Sequence, residues 1–148
     1  MVAAVVSSLH LLALAIGLSS VFLRGRALKG QLDSDGVRRL LAADNAWGVA
    51  AVLWIVTGLL RAFGGLEKGT DFYLRSPLFW TKMVLFLGIL LLEIRPMLTF
   101  IRWRVQLRRG LPVDTAAARG LYTLNHIELA LVVVMVFVAS MMARGIGF

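Results

Sequence analysis

The chain has no cysteine, which excludes disulfides, thiolate metal sites and cysteine nucleophiles together and leaves the compartment open. It carries only two histidines and eight acidic residues, against sixteen lysines and arginines. No His-x-x-x-His or Glu-x-x-His spacing occurs, so paired metal ligands on one helix face are missing. Proline is held to three positions, which leaves long stretches without a helix breaker. No repeat or low-complexity tract is present. The first apolar segment lacks a charged leader and runs too long for a cleaved signal peptide, so it reads as part of the mature chain.

What the chain does have is apolar surface. Its 148 residues are 59% hydrophobic with a mean hydropathy of +0.84, more than a soluble core of this size can hide. Long apolar segments cover residues 3–23, 45–63, 78–101 and 121–143, each near the ~20 residues a helix needs to cross the hydrocarbon layer. Lipid offers no hydrogen bonds to a lone strand, so each segment is expected to be helical. The fold expected is all-α, an integral membrane four-helix bundle forming a single domain over residues 1–148.

The positive excess is unevenly placed. Arg24, Arg26, Lys29, Arg38 and Arg39 fall between the first two segments, and Arg102, Arg104, Arg108, Arg109 and Arg119 between the last two. In the middle connection, Arg61, Lys68 and Arg75 face Glu67 and Asp71. The positive-inside rule then puts the two basic connections in the cytoplasm and both termini outside. Such loops orient a protein on anionic headgroups, so the expected partner is the bilayer and nucleic acid is not expected. Residues 30–36 read as a turn, with Ser34 or Asp35 as N-cap of a helix starting at Val37. Ser76-Pro77 suits a helix start, Pro96 is a candidate kink, and Gly110-Leu111-Pro112 breaks the chain before the last span.

Depth along each helix sorts the polar residues into two layers. Lys82 and Glu93 are eleven residues apart, near three turns and about 16 Å, so they share a face of the third span. Ionisable groups at such depths usually face a bundle interior, because hydrocarbon costs them at least ~2.5 kcal/mol. Snorkelling is the plain alternative for Lys82, and pairing with an arginine such as Arg95 is the plain alternative for Glu93. His10 lies at a depth comparable to Lys82, on a face shared with the small residues Ala3, Ala13 and Gly17. Span two has its own small face in Gly48, Ala51, Gly58 and Ala62. The expected outer pair is therefore His10 with Lys82. An inner polar network is expected from Asp44, Asn45, Glu93, Asn125, His126 and Glu128.

Neutral imidazole is a common axial ligand of haem iron, which makes His10 the candidate ligand. Depth separates His10 from His126 by roughly 10 Å, which disfavours one haem held by both. Two sequence likenesses bear on this reading. Phe79-Trp80-Thr81-Lys82-Met83, Arg102-Trp103-Arg104 and Met142-Ala143-Arg144-Gly145, set in flanking runs that cover nearly the whole chain, resemble a family of bacterial four-span inner-membrane proteins of unknown function. That implies a multi-pass protein of the bacterial cytoplasmic membrane and no reaction.

More distantly, Leu9-His10, Lys82 opening span three, and Asn125-His126 after Arg119 are similar to the J-type protoporphyrinogen oxidases, four-span membrane proteins that carry haem b. Leu92-Glu93 stands where that family has Tyr-His, and its histidine after span one and its proline in span four have no counterpart. The likeness implies haem b at His10, with Lys82 as second ligand or propionate partner. Three function classes follow. The first is a haem-b protein of electron transfer or oxidoreduction, with a quinone or porphyrin as partner. The second is a small proton-linked transporter or channel using Lys82 and Glu93. The third is a non-catalytic assembly partner or homo-oligomer.

Overall fold

In the computed structural model, which describes residues 1–146, helix follows helix. Helix α1 spans Val2–Lys29, α2 Ser34–Phe63, the short α3 Thr70–Arg75, α4 Pro77–Arg108 and α5 Ala118–Ala143. The four long helices are each long and apolar enough to cross a membrane. The chain is an all-α, four-helix, multi-pass membrane protein. The 32 residues of α4 make a rod of about 48 Å, well beyond a ~30 Å hydrocarbon layer. The apolar segments of the sequence are thus parts of longer helices, which run on at the ends that carry the basic connections.

Helix ends follow from local chemistry. The cap of α2 is Asp33, whose carboxylate accepts from the Gly36 N–H at 2.7 Å, one or two residues earlier than Ser34 or Asp35. Gly36 is obligatory in this turn, since a Cβ there would lie 2.0 Å from the Gln31 carbonyl oxygen. Ser76 caps α4 and Pro77 fills its first position, where a missing N–H costs nothing. That helix continues unbroken through Pro96 and ends near Gly110, whose φ of +66° is left-handed. Helix α3, in the connection from α2 to α4, has no counterpart in the apolar pattern.

The long helices pack in the order α2, α1, α5, α4, and α2 meets α4 only sparingly. Apolar packing forms layers along the bundle. Leu28, Leu40, Phe100, Trp103 and Leu121 fill the end that carries the basic connections. Val21, Trp47, Ile89, Val132 and Met135 fill the middle. Tyr73, Phe79, Ala62 and Met142 pack at the end that carries the chain termini. Lipid tails are as apolar as leucine, so close approach and polar contacts must hold such helices together. Gly17 supplies one approach: the Trp47 ring lies against α1 where a Cβ would come within 3.0 Å of it. Gly48 supplies none, because a Cβ there would meet nothing within 4 Å.

Candidate functional site

Polar side chains inside the bundle gather in two places, and the first is centred on an arginine that the charge pattern assigns to a loop. Arg24 lies within α1, completely buried, its guanidinium carbon 5.8 Å from the Phe100 ring and 6.0 Å from Trp47. Its Nη1 donates to Glu93 at 2.6 Å and to Asp44 at 3.1 Å. Nη2 donates to the second Glu93 oxygen at 3.0 Å and to Glu128. Nε donates to the Asn125 side-chain oxygen at 2.7 Å. All four long helices therefore meet on one guanidinium, whose fork of donors suits several carboxylates at once.

Neighbouring groups extend this knot. Arg104, a second residue placed by its sequence position in a loop, donates to Asp44 at 2.6 Å and to Asn45 at 2.8 Å. The Asn125 amide also donates to the Val21 carbonyl at 2.9 Å, so one side chain bridges α5 to both side chain and backbone of α1. Gly25 makes this approach feasible, because a Cβ there would lie 2.7 Å from the Asn125 nitrogen. Glu93 pairs with Arg24 and not with Arg95, which extends towards Gly120 on α5. Of the inner residues singled out in the sequence, Asp44, Asn45, Glu93, Asn125 and Glu128 come together. His126 does not. It is exposed, bonds the Tyr122 carbonyl of its own helix at 2.8 Å, and borders a shallow cleft of about 440 Å³ with Arg26 and Lys29.

The second polar place is a cavity of about 550 Å³ at the terminal end, walled by all four long helices and roofed by α3. His10 and Lys82 both line it, together with Trp54, Arg61, Glu67 and Lys68. Most of the remaining wall is aliphatic or aromatic, including Leu14, Ile55, Phe86 and Met135. Space for it is left because α2 and α4 hardly touch, and because Gly58 leaves room beside His10, whose ring carbon would come within 3.3 Å of a Cβ at that position.

The state of His10 follows from its neighbour. Thr57 has one hydroxyl proton and donates it to the Leu53 carbonyl at 2.7 Å, the usual bond of a helical threonine to the preceding turn. Its oxygen therefore accepts from His10 Nδ1, 2.8 Å away. In the neutral ring the lone pair then sits on Nε2. Lys82 makes no hydrogen bond or ion pair at bonding distance among the described residues, and Glu67 acts on it only from further off. Trp54 adds a buried indole N–H without an acceptor among those residues.

The roof is tied down by Glu67. Its carboxylate accepts from Arg61 Nε at 2.7 Å, from the Tyr73 hydroxyl at 2.6 Å and from Ser7 at 3.0 Å. Burial alone would push this carboxyl up, but the bonds from Arg61, Tyr73 and Ser7 outweigh it and hold Glu67 below the ordinary carboxylate range. Burial, reinforced by the bond to Glu67, pushes the Tyr73 hydroxyl up. Neither the roof nor Arg24 was visible as a site in the sequence. The available signal for Arg24 was its register: His10, Ala13, Gly17, Ser20 and Arg24 recur at spacings of three and four along one face.

A family model described as "Predicted membrane protein (DUF2214)" matches residues 2–147. No curated protein and no solved structure matches the chain. The likeness to haem-b oxidases therefore gains no support from these comparisons.

Proposed function

The chain belongs to that family of membrane proteins, and on this premise we propose that it is a membrane-embedded binding protein whose cavity at the terminal end holds an amphiphilic small molecule. The observation that carries the reading is the cavity itself. About 550 Å³ lies within the usual range of ligand pockets, and unpartnered polar groups converge on an otherwise apolar wall. The basic connections favour a cytoplasmic location for the opposite end. The cavity would then lie in the outer half of a bacterial inner membrane, open to molecules dissolved in lipid.

One observation favours haem b as a second reading. His10 presents Nε2 while Nδ1–H is fixed by Thr57, which is how metal-bound histidines are commonly oriented. His10 would hold the iron, and Lys82, Arg61 and Lys68 are the cations available to propionates. Haem would bring one-electron chemistry, while the chain's own residues orient the group and exclude water. The transporter reading with Lys82 and Glu93 as successive stations is less favoured, because Ile89, Val132, Met135 and Trp47 pack into an apolar layer between them.

An absorption spectrum of protein purified from haem-replete cells, with mass spectrometry of its organic extract, tests both readings. A stoichiometric lipid-soluble molecule lost in His10→Ala and Lys82→Met supports the binding function. A Soret band lost in His10→Ala identifies that molecule as haem b. Protein that carries nothing and takes up no amphiphile in solution overturns the binding function.

A further inference from the structure

The charges around the cavity are one-sided. Arg61, Lys68 and Lys82 line it against a single carboxylate, Glu67. Glu67 is already engaged, with Arg61 and Ser7 on one oxygen and Tyr73 on the other. It pairs with Arg61 and reaches neither Lys68 nor Lys82 at ion-pair distance, although its charge acts on Lys82 from further off. Lys68 is partly served, donating to the Ala143 carbonyl at 3.0 Å and lying 4.5 Å over the Phe72 ring. Lys82 has no counter-ion or hydrogen-bond acceptor at bonding distance among the described residues, and four residues further along its helix Phe86 belongs to the apolar wall. An ammonium group in such surroundings is costly without an anion.

Trp54 strengthens the argument independently of charge. It lines the same cavity, and its indole N–H is buried with no acceptor among the described residues. Buried donors are rarely left unmade, so an orphan at a cavity wall points to an acceptor supplied from outside the chain. Together an ammonium and an indole N–H ask for oxygen atoms carrying negative charge. The apolar wall formed by Leu11, Leu14, Ile55 and Leu59 asks for hydrocarbon.

We propose, building on the binding function above, that the occupant is a single-chain amphiphile with an anionic oxyacid head, a carboxylate or a phosphate monoester. Its head pairs with Lys82 and accepts from Trp54, and its chain lies along the α1 and α2 walls. A neutral alcohol of the same length meets the same hydrocarbon wall and satisfies Trp54, but leaves Lys82 without a counter-ion. A long-chain amine adds a second cation beside Lys82 and is rejected.

The test titrates detergent-solubilised protein with oleate, oleyl phosphate, oleyl alcohol and oleylamine, reading tryptophan fluorescence. A charge-assisted hydrogen bond in a desolvated site predicts that the better acid binds roughly 10- to 100-fold more tightly than the alcohol. Lys82→Met removes that preference while alcohol binding persists, and Lys82→Gln serves as the second variant if the first does not fold. Which acid binds more tightly tells carboxylate from phosphate. Acid and alcohol binding alike, with no change in Lys82→Met, overturns the anionic head and leaves the cavity's binding function standing. Failure of every probe to bind overturns both.

Discussion

Replacing Arg24 by methionine keeps most of the side-chain volume on α1 and removes the one cation on which all four long helices converge. Arg24 donates five hydrogen bonds, to Asn125, Asp44, Glu128 and both oxygens of Glu93. At about 0.6 kcal/mol per polar contact within a bilayer, their sum is about 3 kcal/mol. A second route gives a similar figure: removing one partner of a buried ion pair typically costs about 3–5 kcal/mol, because the other charge is left uncompensated. Glu93→Gln is milder. The cluster holds two guanidinium groups, Arg24 and Arg104, against three carboxyl groups, so losing one carboxylate leaves the signs matched. Its expected loss is about 1.5–3 kcal/mol, the worth of one charged hydrogen bond. Equilibrium unfolding in mixed micelles, followed by circular dichroism and by tryptophan fluorescence, measures both. An Arg24→Met protein within about 1 kcal/mol of the parent, or less destabilised than Glu93→Gln, would refute the claim that this guanidinium holds the helices together.

Three further outcomes follow from individual contacts. Gly25→Ala places a Cβ 2.7 Å from the Asn125 nitrogen. It is expected to cost about 1–3 kcal/mol by detaching that amide from Val21 and Arg24, and adding Asn125→Ala to it should cost little more in the same unfolding assay. Thr57→Val leaves His10 Nδ1–H without its acceptor, so nitrogen NMR of labelled histidine should show the tautomer balance change, and an unchanged spectrum would contradict the assignment. For the roof, the depressed Glu67 carboxyl contributes stability that is fully present above its ordinary value of 4.5 and is lost as pH falls through the lower folded value. Amide exchange in α3 should therefore accelerate at acid pH relative to α5, and Glu67→Gln should remove that difference.

Much of the fold could be read from hydropathy, because a spanning helix is a statement about length and composition that needs no partner. Ser76-Pro77 as the start of α4 was equally legible, since a cap and an N1 proline act locally. The N-cap of α2 was misplaced by one or two residues and its start by three, because Asp33, Ser34 and Asp35 all have capping side chains, and only the backbone turn decides which one is used. Arg24 was misread for a different reason. Arg26 and Lys29 follow it closely, so by composition it belongs to a basic connection. Its burial is set by Glu93, Glu128 and Asp44, on other helices and up to 104 residues away. His126 was misread in the opposite sense: it is one residue from buried Asn125, yet about 100° of helical rotation carries it to the exposed side.

The division of polar groups between the two ends has a physical logic. Within lipid, apolar contact between helices differs little from apolar contact with acyl chains, so the layer of Val21, Trp47, Ile89, Val132 and Met135 fills space without selecting partners. Selection has to come from groups that hydrocarbon rejects. Around Arg24 such groups satisfy one another almost completely, Oε1 of Glu128 being the one buried side-chain atom of the knot without a partner. A self-satisfied knot offers little to a ligand and a great deal to helix pairing. Around His10 and Lys82 the balance is reversed, with an ammonium unpaired at the cavity wall and an indole N–H buried without an acceptor among the described residues. Unanswered polarity is unfavourable for folding, and a binding site is a reason for it to exist. Fourteen residues, about 21 Å of helix, separate His10 from Arg24. Across that distance, with a packed layer between, the knot holds the bundle while the cavity stays open to be filled.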